Sequence, residues 1–153
     1  MRTRRPAELL GVALLMAGCR APAPVAARAG EIVVTRPYAF APLIGDEGSA
    51  YFSLRNEGKT ADTLVSVRAG SGTAMLHGSQ TTNGVARMVM IQALPLPAHG
   101  SVSLEIGHTH LMLTGLNPVP HPGDTLQLTL TFARGGTASV AVPVYKYGEG
   151  PSQ

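Results

Sequence analysis

From Glu31 onward the chain is a series of short apolar or alternating runs, separated by clusters of turn-forming residues. Runs at 32–36, 48–56, 62–69, 74–79, 84–89, 101–106, 110–114, 125–132 and 138–144 each predict a strand. The breakers between them include Asn56-Glu57-Gly58, Asn83-Gly84, the stretch 95–100, Asn117-Pro118 and Gly135-Gly136. Asn83-Gly84 predicts a tight two-residue hairpin, because both positions tolerate the positive φ that such a turn demands. No long stretch repeats with the 3.6-residue period of a helix. Nine short strands at this spacing predict a single all-β domain, a sandwich or a Greek-key barrel.

Composition agrees. Of 153 residues 44% are hydrophobic and only 14% charged, with 18 Gly and 12 Pro, a balance that suits strands and turns better than helices. The N-terminus stands apart. Arg2, Arg4 and Arg5 precede an apolar stretch at 9–16, then Ala17-Gly18-Cys19. A basic, then apolar, then small-residue order predicts an export signal over 1–18. Leu15-Met16-Ala17-Gly18-Cys19 resembles a bacterial lipobox, which makes Cys19 the expected lipid anchor of the mature chain. Residues 19–30 are rich in Ala and Pro and read as a flexible tether. The domain is expected over 31–147, with a frayed tail at 148–153.

Most of the net charge of +3 belongs to the signal, whose three Arg and one Glu leave +1 when removed. No basic run remains, so nucleic-acid binding lacks an electrostatic footprint. Cys19 is the only cysteine, so the domain has neither a disulfide nor a thiolate. No Ser/His/Asp, paired-carboxylate or phosphate-loop pattern appears, which argues against an enzyme.

The candidate chemistry lies in three short segments: Met75-Leu76-His77, Met88-Val89-Met90, and His108-Thr109-His110-Leu111-Met112. In each, the sulfur and imidazole residues are spaced by two. Strand side chains alternate, so residues two apart share a face. If the segments meet at one end of the sandwich, their side chains converge. Thioether sulfur is soft and uncharged. It suits copper(I) and does little for zinc, calcium or magnesium, while imidazole suits copper and zinc alike. A mixed His/Met set therefore points to copper(I). Without a cysteine ligand, a blue-copper electron-transfer site is excluded. A lone Met on a strand is commonly core filler. Three separate clusters in a chain with 5% aromatic residues are harder to read that way. His99 and His121 lie in Pro/Gly loops and are assigned no role.

The chain from about residue 32 to 144 resembles the PCu(A)C family of periplasmic copper chaperones. That family's motif is a His, ten residues, a Met, twenty-one residues, then His-x-Met. Here His77, Met88 and His110-Leu111-Met112 stand at those spacings. The flanking runs Ala50-Tyr51-Phe52-Ser53-Leu54-Arg55-Asn56 and Gly123-Asp124-Thr125-Leu126-Gln127-Leu128 look like the family as well. The resemblance implies a cupredoxin-like Greek-key β-sandwich. It implies one copper(I) ion held by His77, Met88, His110 and Met112, near the surface. It also implies delivery of copper to cytochrome oxidase subunit II, alongside or through a Sco-type protein. Many members carry a Met just after the first His, where this chain has Gly78. Met75, Met90 and His108 are left as candidates for a secondary metal position. The expected location is the bacterial periplasm, with Cys19 anchoring the chain to the outer membrane and no other membrane contact. Two rival readings use the same residues differently: a copper sequestration or resistance module, and a structural sandwich without metal.

Overall fold

The computed structural model describes residues 23–151. The expected signal segment, Cys19 and the start of the tether lie outside the described residues. Eleven strands form in chain order: β1 (Val25–Ala29), β2 (Ile32–Phe40), β3 (Gly48–Asn56), β4 (Asp62–Ala69), β5 (Thr73–Thr82), β6 (Val85–Ile91), β7 (Leu94–Leu96), β8 (Ser101–Ser103), β9 (His110–Thr114), β10 (Thr125–Phe132) and β11 (Gly136–Tyr145). No helix is assigned among the described residues, so the all-β expectation holds.

The strands run in the order β6-β5-β9-β3-β2-β11-β10-β4-β7, with β1 added to β2 and β8 to β3. Strand β11 joins two layers. It pairs with β10 along its length and touches β2 only at Val144 and Tyr145, in parallel. The result is a cupredoxin-like Greek-key sandwich folded about β11. Alternation dictates what fills it. Phe52 and Leu54 of β3, Leu111 and Leu113 of β9, Leu128 and Leu130 of β10 and Val140 and Val142 of β11 all point inward and are fully buried. At about 25 cal/mol per Å² of apolar surface, this burial dominates the stability.

Two buried polar side chains pin the turns after β3 and between β10 and β11. Asp62 accepts hydrogen bonds from the backbone N–H of Thr63, Arg134 and Gly135. Asn56 donates to the Thr60 and Leu96 carbonyls and accepts from the Gly58 N–H. Both are satisfied, as buried polar groups must be.

Several expectations are corrected. The tether expected over 19–30 contains a strand: Val25–Ala29 pairs antiparallel with β2, and Ala29 is buried. Its Ala-rich sequence carries little strand signal, and β2's open edge supplies the pairing instead. Strand β2 continues past Arg36-Pro37 to Phe40. Arg36 adopts φ +51° and the register shifts between Thr35 and Tyr38, a bulge that accommodates the proline. The breaker run at 95–100 hides the short edge strand β7, whose Pro95 needs no partner on its open side. The strand expected over 101–106 stops at Ser103, and residues 104–109 leave the sheet before β9 begins.

Candidate metal centre

The site is built on the β6-β5-β9 side of the first layer. Strands β5 and β6 form a hairpin through Asn83 and Gly84, at φ +52° and +76°, the turn expected from the sequence. Strand β9 pairs with the other side of β5. Leu76, Leu111 and Leu113 point to the core. Alternation therefore sends Met75, His77, His110 and Met112 to the opposite, outward face.

Register fixes their neighbours. His77 lies directly across from His110 on one side and from Met90 on the other. Met75 lies across from Met112, which in turn faces Ser49 of β3. Met88 lies across from Ser79 and is therefore diagonal to His77. Directly opposed residues have Cβ atoms about 4.5–5.5 Å apart and diagonal ones about 7–8 Å, within reach of long side chains. Six of the seven candidates thus share one face of three neighbouring strands: Met75, His77, Met88, Met90, His110 and Met112. They meet on a sheet face beside its open edge, rather than at the tip of the sandwich as expected. His108 does not join the row. It lies exposed in the loop before β9.

The donors differ in accessibility. Met88 and Met90 are 59% and 65% exposed, whereas the other four are half-buried. The His77 and His110 ring centroids lie 6.0 Å apart with planes inclined by 69°. Nδ1 of His110 lies 3.1 Å from the His108 carbonyl oxygen. A carbonyl only accepts, so Nδ1 carries the proton and Nε2 presents the lone pair. The contribution of His108 is thus its backbone, which no side-chain pattern in the sequence could reveal. Nδ1 of His77 is buried with no hydrogen-bond partner. Leaving such an atom unsatisfied costs about 1–3 kcal/mol. A metal cation bound at that nitrogen would relieve the cost. Among the described residues no group of three or more His, Cys, Asp or Glu side chains is gathered for a metal. An ion held here by more than two side chains would draw on thioether sulfur.

An aromatic wall borders the array. Tyr51 donates to Ser49 Oγ at 3.0 Å and stacks on Tyr38 with centroids 4.9 Å apart, and Phe40 packs against both. Burial, reinforced by Tyr51 and Glu105, raises the Tyr38 phenol above its ordinary value. It stays neutral and offers no oxyanion to compete with sulfur. The sequence reading missed this wall, although Ser49 and Tyr51 stand two apart on the strand that borders Met112.

The fold and the array together define a β-sandwich protein with a soft-donor site on an open sheet face. Residues 32–144 match the family model described as "Putative lipoprotein LpqE-like", and the chain belongs to the LpqE-like family. A protein of Leifsonia xyli subsp. xyli named "Putative lipoprotein Lxx21020" is 28% identical over 150 residues, spanning 94% of this chain and 90% of that one. Among solved structures, the apo PmoF2 PCuAC domain superposes with a TM-score of 0.69 at 20% identity, over 82% of this chain and 98% of that domain. DR1885 from Deinococcus radiodurans in its Cu(I) form gives a TM-score of 0.60 at 29% identity, over 87% and 85%. Its apo form gives 0.59 at 28%, over 99% and 100%.

Proposed function

We propose that this protein binds one copper(I) ion through His77, Met88, His110 and Met112 and carries it as a copper chaperone of the bacterial envelope. One observation carries the reading: strand register gathers these four side chains on the outward face of β5, β6 and β9. Ligand chemistry supports copper(I), because two thioethers and two imidazoles form a soft, neutral set. The likeness to DR1885, solved with Cu(I), supports it independently.

The chain's residues suit a carrier rather than a catalyst. His77 and His110 sit on inner strands of the array and hold the ion. Met88, on the exposed hairpin, is the side chain an acceptor reaches first. Neutral ligands leave one at a time without releasing a thiol proton, so a stronger acceptor takes the ion by stepwise replacement. Copper then passes to the copper centre of cytochrome oxidase, directly at subunit II or through a Sco-type protein. Lipidation of Cys19 holds the chain in the envelope, at the outer membrane. The family description and the name of the Leifsonia protein, both of which speak of a lipoprotein, support the anchor.

Anaerobic copper(I) competition against a chromophoric chelator tests the site. The native protein should compete for one tight equivalent, and His77→Ala with His110→Ala together should abolish it. Unchanged competition in that double variant overturns the ligand assignment. Deletion of the gene tests delivery: oxidase activity should fall at low copper, whereas copper sensitivity with intact oxidase would mark a sequestration protein.

A further inference from the structure

In the β2–β3 loop, Leu43 is 72% and Ile44 91% exposed, the two most exposed large apolar side chains among the described residues. Both stems of the loop are tied down. Ala41 donates its N–H to the Tyr145 carbonyl at 2.9 Å, and the Leu116 N–H donates to the Asp46 carbonyl at 3.3 Å. Leu43 and Ile44 thus project from a fixed base, with Pro42 before them and Gly45 at φ +69° after them. Beside that base, Tyr147 is 59% exposed and leans on Phe40 with ring centroids 5.3 Å apart. Isolated apolar residues on a surface are ordinary, but an adjacent pair on a held loop tip, beside an exposed ring, is a patch.

The chain enters the sheet from the same end. Strand β1 runs antiparallel to β2, with Ala29 across from Ile32 and Val25 across from Thr35. Entry into β1 is therefore from the end at which β2 finishes, the end that carries the Leu43-Ile44 tip. Cys19 precedes Val25 by six residues, at most about 20 Å of extended chain. From Thr35 to Phe40, β2 covers no more than about 17 Å. The tether is long enough to bring Cys19 level with the tip.

We propose that Leu43 and Ile44 enter the surface of the membrane that holds Cys19, with Tyr147 at headgroup level, and so fix the pose of the sandwich. The inference rests on the lipid-anchor reading of Cys19. Chemistry selects a lipid surface of low charge. Two branched apolar side chains gain by leaving water, and a tyrosine ring with a polar tip suits the interface. Asp46 and Glu47 follow the tip directly, and Lys146 at this end is engaged by Glu149 at 3.3 Å. An anionic surface therefore does not draw this end in. Two apolar side chains are too few to hold a protein at a membrane by themselves. The acyl anchor supplies residence and the tip supplies orientation. The sequence reading expects contact through Cys19 alone; the tip is a second contact. The pose bears on the donor row. Ser49, beside the loop, pairs with Met112, so Met112 and Met75 lie toward the membrane. His77, and then Met88 across from Ser79, lie progressively nearer the Asn83-Gly84 turn. Met88 is thereby held toward water, the side from which an acceptor reaches it on the copper reading.

The protein contains no tryptophan, so a single introduced one reports alone. The test uses the full chain expressed with its signal, its acylation read by mass spectrometry, in phosphatidylcholine vesicles with and without brominated acyl chains. Ile44→Trp reports from the tip and Val85→Trp from the hairpin turn; both positions are exposed, so the core is undisturbed. Brominated lipid should quench Ile44→Trp at least about threefold more than Val85→Trp, because interfacial apolar groups settle at the acyl boundary. Adding anionic phosphatidylglycerol should not raise that quenching, and a rise overturns the choice of lipid surface. Equal quenching at the two positions, or none at either, overturns the tip contact, while acyl chains found on Cys19 leave the anchor standing. Blue-shifted emission from Ile44→Trp in a Cys19→Ser chain without vesicles means that another copy covers the tip, and overturns the contact as well. Absence of acyl chains on Cys19 in the expressed chain overturns the anchor reading and the pose together.

Discussion

His77 and His110 face each other across neighbouring strands, their ring centroids 6.0 Å apart, and the two rings are held in different ways. His110 is oriented by the His108 carbonyl, while Nδ1 of His77 is enclosed without a partner. One imidazole is fixed before any ion arrives and the other is left with an unmet demand.

The orientation of His110 has a spectroscopic consequence. In long-range ¹H–¹⁵N spectra of the metal-free protein near neutral pH, His110 should appear as the Nδ1–H tautomer. Silver(I) or copper(I) should then shift its Nε2 far more than its Nδ1. A dominant shift at Nδ1 would show that the His108 contact breaks on loading.

The four proposed ligands should not contribute equally. Met88 is exposed and diagonal to His77, whereas Met90 stands directly opposite His77 and can take its place. Met88→Ala should weaken copper(I) binding by no more than about tenfold, or about 1.4 kcal/mol. Met112→Ala, at a half-buried position, should cost more. Removing Met88 and Met90 together should cost more than the sum of the single losses, since each compensates for the other. Chelator competition on the four variants measures this, and additive losses would contradict it.

Two glycines, one before the hairpin and one in its turn, have different consequences. Gly72, at the β4–β5 turn, adopts φ +76°, and a Cβ there would collide with the Thr114 carbonyl oxygen and the Gly115 backbone. Gly84 adopts the same φ with open space around it. Gly84→Ala should cost about 1–2 kcal/mol from backbone strain alone. Gly72→Ala should cost more and displace β5 against β9, so that copper(I) affinity falls with stability. Denaturant unfolding of both variants separates the cases, and equal costs would contradict the close approach at Gly72.

The strand β1 is tied down by charge at the far end of the sheet. Arg28 donates to Glu57 at 2.7 Å, and Arg55 pairs with the same carboxylate. The Arg28 hydrogen bond, aided by the charges of both arginines, lowers the Glu57 pKa from its usual 4.5. A lowered carboxylate stabilises the fold above the unfolded value, and the gain disappears as pH falls through the folded value. Glu57→Gln should therefore destabilise slightly at neutral pH and not at all in strong acid, with a loss that shrinks in salt. Chemical unfolding at several pH values checks the sign; a larger effect in acid would contradict it.

Much of the layout was legible in the sequence. Alternation placed β3, β4, β9 and β10 at their observed bounds, and Asn83-Gly84 gave the hairpin that carries Met88. Spacing by two placed each donor pair on one face. What alternation could not supply was register between strands far apart in sequence. Nothing in the text around His77 says that it faces His110 on one side and Met90, rather than Met88, on the other. The pairing of Val25–Ala29 with β2 was hidden for the same reason: tertiary partners overrode weak local propensity. The His108 carbonyl was invisible because every residue has one.

The central claim is a copper(I) ion held by two imidazoles and two thioethers on an open sheet face. X-ray absorption at the copper edge, on protein loaded with one equivalent of copper(I), tests it most directly. The account predicts two sulfur and two nitrogen scatterers, with the sulfur count falling by one in Met112→Ala and the nitrogen count by one in His110→Ala. A first shell of nitrogen and oxygen alone, or one unchanged in both variants, would contradict it.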